Sequence, residues 1–236
     1  MPGTTEPQLL DLKEKLLRMA SHAEAAVNHS VKALLRRDDD LARRTREEDT
    51  IIDQLEKEVD EASLRLLEAK PALLELRTIT LAMKIAHDLE RVGDEATTIS
   101  RRVLELSLEP PLAQAREIPR IATLALQMLK EAIDAFVHRD SARARAVVPQ
   151  DKQVDRLHRE LHATLAAQMN GQAEAILRCL HLMVISKSLE RIGDHAANIA
   201  EMVVYMYEGR DIRHQSQPAP APHPATAVTN PSDPSP

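Results

Sequence analysis

Two pairs of acidic residues with helical spacing are the side chains in this sequence best suited to chemistry. Glu90 and Asp94 are four residues apart, and so are Glu190 and Asp194. That spacing places both carboxylates of a pair on one face of a helix. Clustered carboxylate oxygens are preferred ligands of Mg²⁺, Mn²⁺, Ca²⁺ and iron, whereas Zn²⁺ favours added nitrogen or sulfur. For one such pair alone, a solvated charged helix face is the ordinary interpretation, and cation binding requires further acidic residues nearby.

Both pairs lie within an internal repeat. The segment LERVGD at 89–94 returns as LERIGD at 189–194, and flanking Met, Ile and Ala residues recur at the same offset. An internal repeat indicates that the chain contains a repeated structural unit. We therefore expect two similar halves, each with one Glu-x-x-x-Asp pair.

A second acidic pair lies on the preceding helix of each half. Asp49 and Asp53 flank the apolar Ile52, and an equivalent pair occurs in the second half. In each half, two carboxylate pairs on neighbouring helices are thus predicted to face each other across one groove. The eight candidate metal ligands are Asp49, Asp53, Glu90, Asp94, Asp151, Asp155, Glu190 and Asp194. Four crowded carboxylates repel unless they are protonated, separated or bridged by cations. The repetition favours metal binding over a solvated charged face.

Further candidate ligands continue these stripes in the second half. They are Asn198, Glu201 and, less strongly, His158 and His162. The histidines are weaker candidates because histidines are common on helix surfaces, and their first-half counterparts are Glu56 and Asp60. Arg91 and Arg191 precede the glycines of the repeat. We expect them to form intramolecular salt bridges rather than to bind an anion.

Two mid-helix glycines, Gly93 and Gly193, occupy equivalent positions in a chain with only 5 glycines. Each costs about 0.5–1 kcal/mol relative to Ala in a helix. A cost repeated in both halves indicates that something approaches the backbone closely. The candidates are a neighbouring helix and a bound ion.

The composition predicts an all-α fold. Of 236 residues, 1% are aromatic and none is Trp, whereas the strong helix formers Ala, Leu, Arg and Glu dominate. Apolar residues spaced three and four apart predict six amphipathic helices. Their approximate ranges are 7–37, 41–69, 71–108, 118–138, 140–169 and 172–208. We expect an N-cap at Asp38–Asp40, a helix start at Pro71 and a bend near Pro149.

Short connections make consecutive helices antiparallel. The predicted architecture is therefore two tandem, pseudo-symmetric antiparallel three-helix bundles, at residues 1–110 and 111–209. Pro110 and Pro111 separate them. Residues 210–236 hold seven of the 14 prolines amid Ala, Ser and Thr, a composition typical of a disordered tail.

Charge and hydropathy narrow the function classes. A formal net charge of −6 argues against nucleic-acid binding. No secretory signal or 18-residue apolar run is present, so we expect a soluble, cytoplasmic protein without membrane insertion. The single cysteine, Cys179, excludes an internal disulfide and is expected to be a buried, inert thiol.

At the repeated acidic motif the chain resembles the PhoU family of phosphate-signalling regulators. The fullest form of the motif is SLERIGDHAANIAE at 188–201. With the upstream Asp pairs and the six-helix plan, the resemblance covers about residues 6–208. It implies two three-helix bundles and multinuclear metal sites on the eight acidic residues named above. The metal is often iron, with manganese, magnesium or zinc as other candidates.

The resemblance also implies a biological role without catalysis. Proteins similar to PhoU act with the ATPase of the phosphate ABC transporter and with a sensor histidine kinase. They restrain the phosphate-starvation response when phosphate is plentiful, and many form homodimers. In the first repeat Arg101 stands where the second has Glu201, which weakens a cation site there.

Two alternatives stay open. One is a helical adaptor that binds no metal. The other is a di-metal carboxylate enzyme, whose four-helix sites use Glu-x-x-His. Glu90 and Glu190 are followed three residues later by Gly93 and Gly193 rather than by His, which counts against the enzyme. The chain also shows no nucleophile–base arrangement and no phosphate-binding glycine loop.

Overall fold

The structure, a computed structural model, describes residues 5–209 as two antiparallel three-helix bundles in tandem. No strand is present in that range. The helices are α1 (Thr5–Arg36), α2 (Asp39–Glu47), α3 (Asp49–Glu68), α4 (Leu73–Leu106), α5 (Ile118–His138), α6 (Ser141–Val147), α7 (Asp151–Gly171) and α8 (Ile176–Glu208). The all-α prediction is therefore confirmed. The predicted disordered tail, 210–236, lies outside the described residues, and the boundary at 110/111 stays a prediction.

In both bundles the same turn joins the first helix to the second. Arg37 adopts a left-handed φ of 54°, and the Asp38 carboxylate then accepts a hydrogen bond from the Leu41 amide at 2.9 Å. Arg139 and Asp140 repeat this arrangement, with a φ of 57° and an acceptor contact to the Arg143 amide at 2.9 Å. The carboxylate satisfies an amide that the helix start leaves free. The N-cap prediction is confirmed at Asp38.

The second predicted helix of each bundle is divided in two. The expected helix at 41–69 is interrupted at Glu48, which is both the C-cap of α2 and the N-cap of α3. This break was not expected, because no proline or glycine lies there. In the second bundle a 3₁₀ turn at Val148–Gln150 contains Pro149 and separates α6 from α7, which confirms the predicted bend. Both breaks make an aspartate, Asp49 or Asp151, the first residue of the next helix.

Two other helix starts fall later than predicted. Pro71 precedes α4 instead of opening it, and the Ala72 amide donates to the Glu75 carboxylate at 2.8 Å. A 3₁₀ turn at Ala173–Ala175 precedes α8, which was expected to begin at Gln172. In each case a local hydrogen-bonded turn uses amides that the predicted helix would have left unpaired.

The core consists of aliphatic side chains, with Phe136 as its one fully buried aromatic in the described range. Ile85, Leu89, Ile185 and Leu189 have no exposed surface, as expected for the inner faces of α4 and α8. These two helices pack against each other and join the bundles. Asp88 of α4 contacts His195 of α8. Glu105, which comes later in α4, contacts His181, which comes earlier in α8. The pair is therefore antiparallel.

Cys179 is buried, and burial raises the pKa of its thiol, so the prediction of an inert cysteine agrees with its position. Within residues 5–209 no helix combines the length and apolar character needed to cross a bilayer.

The two mid-helix glycines lie where the neighbouring helix comes close. A Cβ at Gly93 would lie 2.8 Å from Ile52 Cδ1 and 3.0 Å from Asp49 Oδ1. A Cβ at Gly193 would lie 3.4 Å from Val154 Cγ1 and 3.5 Å from Asp151 Oδ1. Of the two predicted causes, the approach of a neighbouring helix is the one these contacts show.

The unequal contacts predict unequal responses to Gly→Ala. Gly93→Ala should destabilise the protein by about 1 kcal/mol, because overpacking against the buried Ile52 outweighs the gain in helix propensity. Gly193→Ala should be neutral or stabilise by about 0.5–1 kcal/mol, since its new methyl group meets only ordinary contacts. Urea unfolding of both variants measures the difference. Equal midpoints would contradict this account of the packing.

Candidate metal centre

The first groove lies between α3 and α4 and holds the first four predicted ligands. Asp49 and Asp53 lie on α3, and Glu90 and Asp94 lie on α4. The break at Glu48 puts the Asp49 carboxylate in the first turn of α3, where a negative charge suits the helix dipole. The absence of a side chain at Gly93 then lets Asp49 Oδ1 approach the backbone of α4.

The four carboxylates of this groove interact electrostatically. Burial raises the pKa of Asp49, as do the charges of Asp53 and Asp94, while the Thr97 hydroxyl partly opposes them. Burial also raises the pKa of Glu90, and the charge of Asp94 adds to it. These four predicted ligands therefore lie near enough to one another to interact, while their role as metal ligands stays a prediction. The groove favours uptake of positive charge, by proton or cation.

Arg91 supplies part of that charge. Its Nη1 lies 3.1 Å from Asp94 Oδ2, and its Nε lies 3.5 Å from Glu90 Oε2. The expected intramolecular salt bridge is present. Because Arg91 is exposed, the pair is screened by solvent and offsets only part of the repulsion.

The second groove, between α7 and α8, contains the carboxylate with the more strongly raised pKa, Asp151. Asp151 Oδ1 is buried and has no hydrogen-bond partner among the described residues. Burial raises the pKa of Asp151 to about 6, with further contributions from Asp194, Asp155, Glu190 and Glu201. An unpaired carboxylate oxygen in a set of carboxylates is a fitting ligand for a hard cation. The donor set therefore fits the predicted metal.

The two additional predicted ligands diverge. Glu201 acts on Asp151 electrostatically and so belongs with the second groove. Asn198 is exposed and lines a cleft of about 590 Å³ between α4 and α8. Asp94 and Asp194 line the same cleft, as does Arg101. The two carboxylate sets therefore adjoin one shared opening between the bundles.

The weaker histidine candidates bind to the neighbouring helix. His158 Nδ1 lies 2.9 Å from Ser186 Oγ, and His162 Nε2 lies 3.2 Å from the Met183 carbonyl oxygen. Burial and the neighbouring His162 lower the pKa of His158, which favours its neutral form. Each ring uses one nitrogen to fasten α7 to α8, a structural role that the sequence did not show.

Two contacts join α4 to α8 across the bundles, and three of their four residues, all except Arg191, differ between the repeats. His195 Nδ1 lies 2.8 Å from Asp88 Oδ1, and Arg191 Nη1 lies 3.0 Å from Glu95 Oε1. The Glu95 contact confirms that Arg191 forms an intramolecular salt bridge, but to α4 rather than to its own helix. These pairs fix α4 against α8 beside the shared cleft.

Sequence reasoning missed one group of ligands. Glu56, His87 and Glu90 each offer an atom within 4.8 Å of the others. Within residues 5–209 no other group of three or more His, Cys, Asp and Glu comes as close. The available signal was the i,i+3 spacing of His87 and Glu90, which places them on one helix face. No three of the other groove carboxylates come that close within the described residues.

Comparison with protein-family models identifies one family. The PhoU domain model matches this chain twice, at residues 16–103 and 118–203. The two matched segments include the two acidic motifs, one in each.

Relatives and solved structures agree with that match. A phosphate-specific transport system accessory protein PhoU homolog from Pseudomonas aeruginosa is 40% identical over 209 residues, covering 88% of this chain and 86% of the relative. A protein of the same description from Caulobacter vibrioides is 35% identical over 210 residues, covering 88% and 91%. A crystal structure of PhoU from P. aeruginosa superposes with a TM-score of 0.84 at 38% identity, covering 88% of this chain and 100% of that one. The phosphate transport system regulatory protein PhoU from Streptococcus pneumoniae gives a TM-score of 0.82 at 26% identity, covering 89% and 99%.

The raised pKa of Asp151 predicts a pH-dependent stability in the metal-free protein. Its folded pKa of about 6 exceeds the ordinary 3.8, so the folded state binds the proton more tightly. The resulting stabilisation is present below pH 3.8 and is lost as the pH rises through 6. Asp151→Asn should therefore stabilise chelator-treated protein at pH 7.5 by about 1 kcal/mol, a value reduced for partial solvent exposure. It should have little effect at pH 4.

Urea unfolding at both pH values measures this difference. Asp11→Asn is the control, because Asp11 is exposed on α1 and pairs with Lys15 at 2.9 Å. It should not change the pH dependence. An equal effect of Asp151→Asn at both pH values would show that the carboxylate is not destabilised in its ionised form.

Proposed function

This chain belongs to the PhoU family, and on that premise we propose that it is a metal-binding accessory regulator of a phosphate-specific transport system. The family match supports the transport role, since relatives at 40% and 35% identity bear that description. The observation that supports metal binding is the buried, unpartnered Asp151 Oδ1 in a groove of carboxylates.

Metal ions would be held by the acidic residues of the two grooves. Asp49, Asp53, Glu90 and Asp94 would serve the first groove. The second-groove ligands would be Asp151, Asp155, Glu190, Asp194 and Glu201, with Asn198 available from the adjoining cleft. Iron, manganese, magnesium and zinc are the candidate ions, and each would neutralise the carboxylates at the join of the bundles. This chain's residues supply oxygen ligands and, through α4 and α8, a fixed spacing between the two sites.

The proposed action is negative control through protein contact. When phosphate is plentiful, the protein would restrain the ATPase of the phosphate ABC transporter and the phosphate-sensing histidine kinase. It would act in the cytoplasm as a homodimer. The absence of any membrane-spanning helix within residues 5–209 is compatible with contact at the cytoplasmic side of a transporter.

A regulatory role agrees with the family better than an enzymatic one. The related proteins are described as transport accessory and regulatory proteins. The di-metal enzyme alternative also requires Glu-x-x-His, whereas His87 precedes Glu90 by three residues. The metal-free adaptor differs from our proposal in two consequences: it binds no ion, and neutralising the groove carboxylates would leave regulation intact.

A phosphate-starvation reporter tests this difference in cells that lack their own copy of the protein. The wild-type chain should repress the reporter in phosphate-rich medium. Asp94→Asn/Asp194→Asn should derepress it several-fold, because each groove loses a charge facing the shared cleft. Asp11→Asn/Glu160→Gln should repress normally, since both of those residues are exposed and lie outside the grooves.

Protein levels, measured by immunoblotting, must match for the comparison to count. Full repression by Asp94→Asn/Asp194→Asn at equal abundance would favour the metal-free adaptor. A wild-type chain that does not repress would contradict the regulatory proposal itself.

A further inference from the structure

We propose that Glu56, His87 and Glu90 form a distinct mixed nitrogen–oxygen site for a divalent transition metal. In the second bundle a lysine, Lys187, stands at the position of His87. This site extends the metal binding proposed above. It rests on that proposal only through Glu90, which belongs both to this site and to the carboxylates of the first groove. Its other two members lie outside the acidic motif.

The geometry of the three ligands suits a small divalent ion. Their ligand atoms all lie within 4.8 Å of one another, and His87 Nδ1 lies 3.5 Å from Glu56 Oε1. In four-coordinate sites with bonds of about 2.0–2.1 Å, neighbouring ligand atoms are about 3.3–3.4 Å apart. One edge of the site is therefore already close to that length, and side-chain rotation would bring in the third ligand.

Glu90 provides the second observation. Its Oε2 is buried and accepts no hydrogen bond from the described residues. Arg91 Nε lies 3.5 Å away, near enough for a charge interaction but without a hydrogen bond. A buried carboxylate oxygen normally has a donor or a cation as its partner. His87 is 59% exposed on the same helix face, so an ion can reach the site from solvent.

The second bundle offers an internal comparison. At the equivalent positions stand His158 for Glu56, Lys187 for His87 and Glu190 for Glu90. There the Lys187 ammonium forms an ion pair with Glu190. With neutral histidines, the first-bundle set carries a charge of −2 and the second-bundle set carries none. The second-bundle set therefore contains its own cation, whereas the first-bundle set has only the exposed Arg91 beside Glu90.

The residue types identify the class of ion. One imidazole nitrogen with two carboxylates suits Zn²⁺, Fe²⁺ or Co²⁺ better than Mg²⁺ or Ca²⁺, which favour oxygen alone. The site therefore differs in preference from the all-oxygen set of the second groove. Zn²⁺ is the suitable probe because it has no redox chemistry.

The test is a Zn²⁺ titration of the full chain, stripped of metal by a chelator, followed through the histidine ring nitrogens by NMR. The His87 resonance, assigned by its absence from His87→Lys, should shift and saturate in the wild type. Glu56→Gln, which keeps the His87 reporter, should weaken this zinc affinity at least about tenfold, because even outer-shell changes cost 10–100-fold.

Matched controls separate this site from exposed histidines and from the acidic grooves. His29→Lys and Glu48→Gln alter a half-exposed pair whose atoms lie 4.0 Å apart and should leave the zinc affinity unchanged. In Asp94→Asn the His87 resonance should still respond, whatever happens to regulation. The proposal is overturned if His87 does not shift at saturating Zn²⁺, shifts no more than His29, or if Glu56→Gln binds as tightly as the wild type.

Discussion

The close approach of a helix start to a glycine of the next helix organises each bundle. Because Gly93 and Gly193 carry no side chain, the first turns of α3 and α7 lie against α4 and α8. That contact partly buries Asp49 and Asp151 among other carboxylates and raises the pKa of both. The packing thus crowds negative charges together, and their repulsion favours the binding of a proton or a cation. A groove built this way is costly while every carboxylate is ionised and becomes favourable when a proton or metal ion enters.

Side chains at equivalent positions of the two bundles differ in charge. At one end of the groove, Glu56 and His87 correspond to His158 and Lys187. At the other end, Arg101 corresponds to Glu201, which adds to the negative charge around Asp151. The scaffold is nearly symmetric, but its two grooves present different ligand types. A shared cleft between α4 and α8 brings Asp94 and Asp194 to one surface.

Much of the fold followed from local sequence signals. The apolar periodicity gave the helices, the Asp38 N-cap was evident from its side chain, and Pro149 indicated the bend. The acidic repeat also identified which residues would share each groove. The interruption at Glu48 was not predictable, because no residue there breaks a helix by its own chemistry.

Other features depended on how two helices face each other. The Glu56–His87 contact joins residues on different helices, so its existence depends on the register of α3 against α4. The placement of Asn198 in the α4–α8 cleft depends on the rotation of α8 about its axis. Helical spacing defines a face, but only tertiary packing decides which neighbour that face meets.

Metal content of the purified full chain, measured by elemental analysis, tests the central claim most directly. Wild type should be compared with Asp53→Ala/Glu90→Ala and with Asp155→Ala/Glu190→Ala. The account predicts more than one ion per wild-type chain and a separate loss from each groove in the two variants. No bound ion in the wild type, even after anaerobic reloading with Fe²⁺, Mn²⁺ and Zn²⁺, would contradict it and leave the carboxylates as surface charge on a helical adaptor.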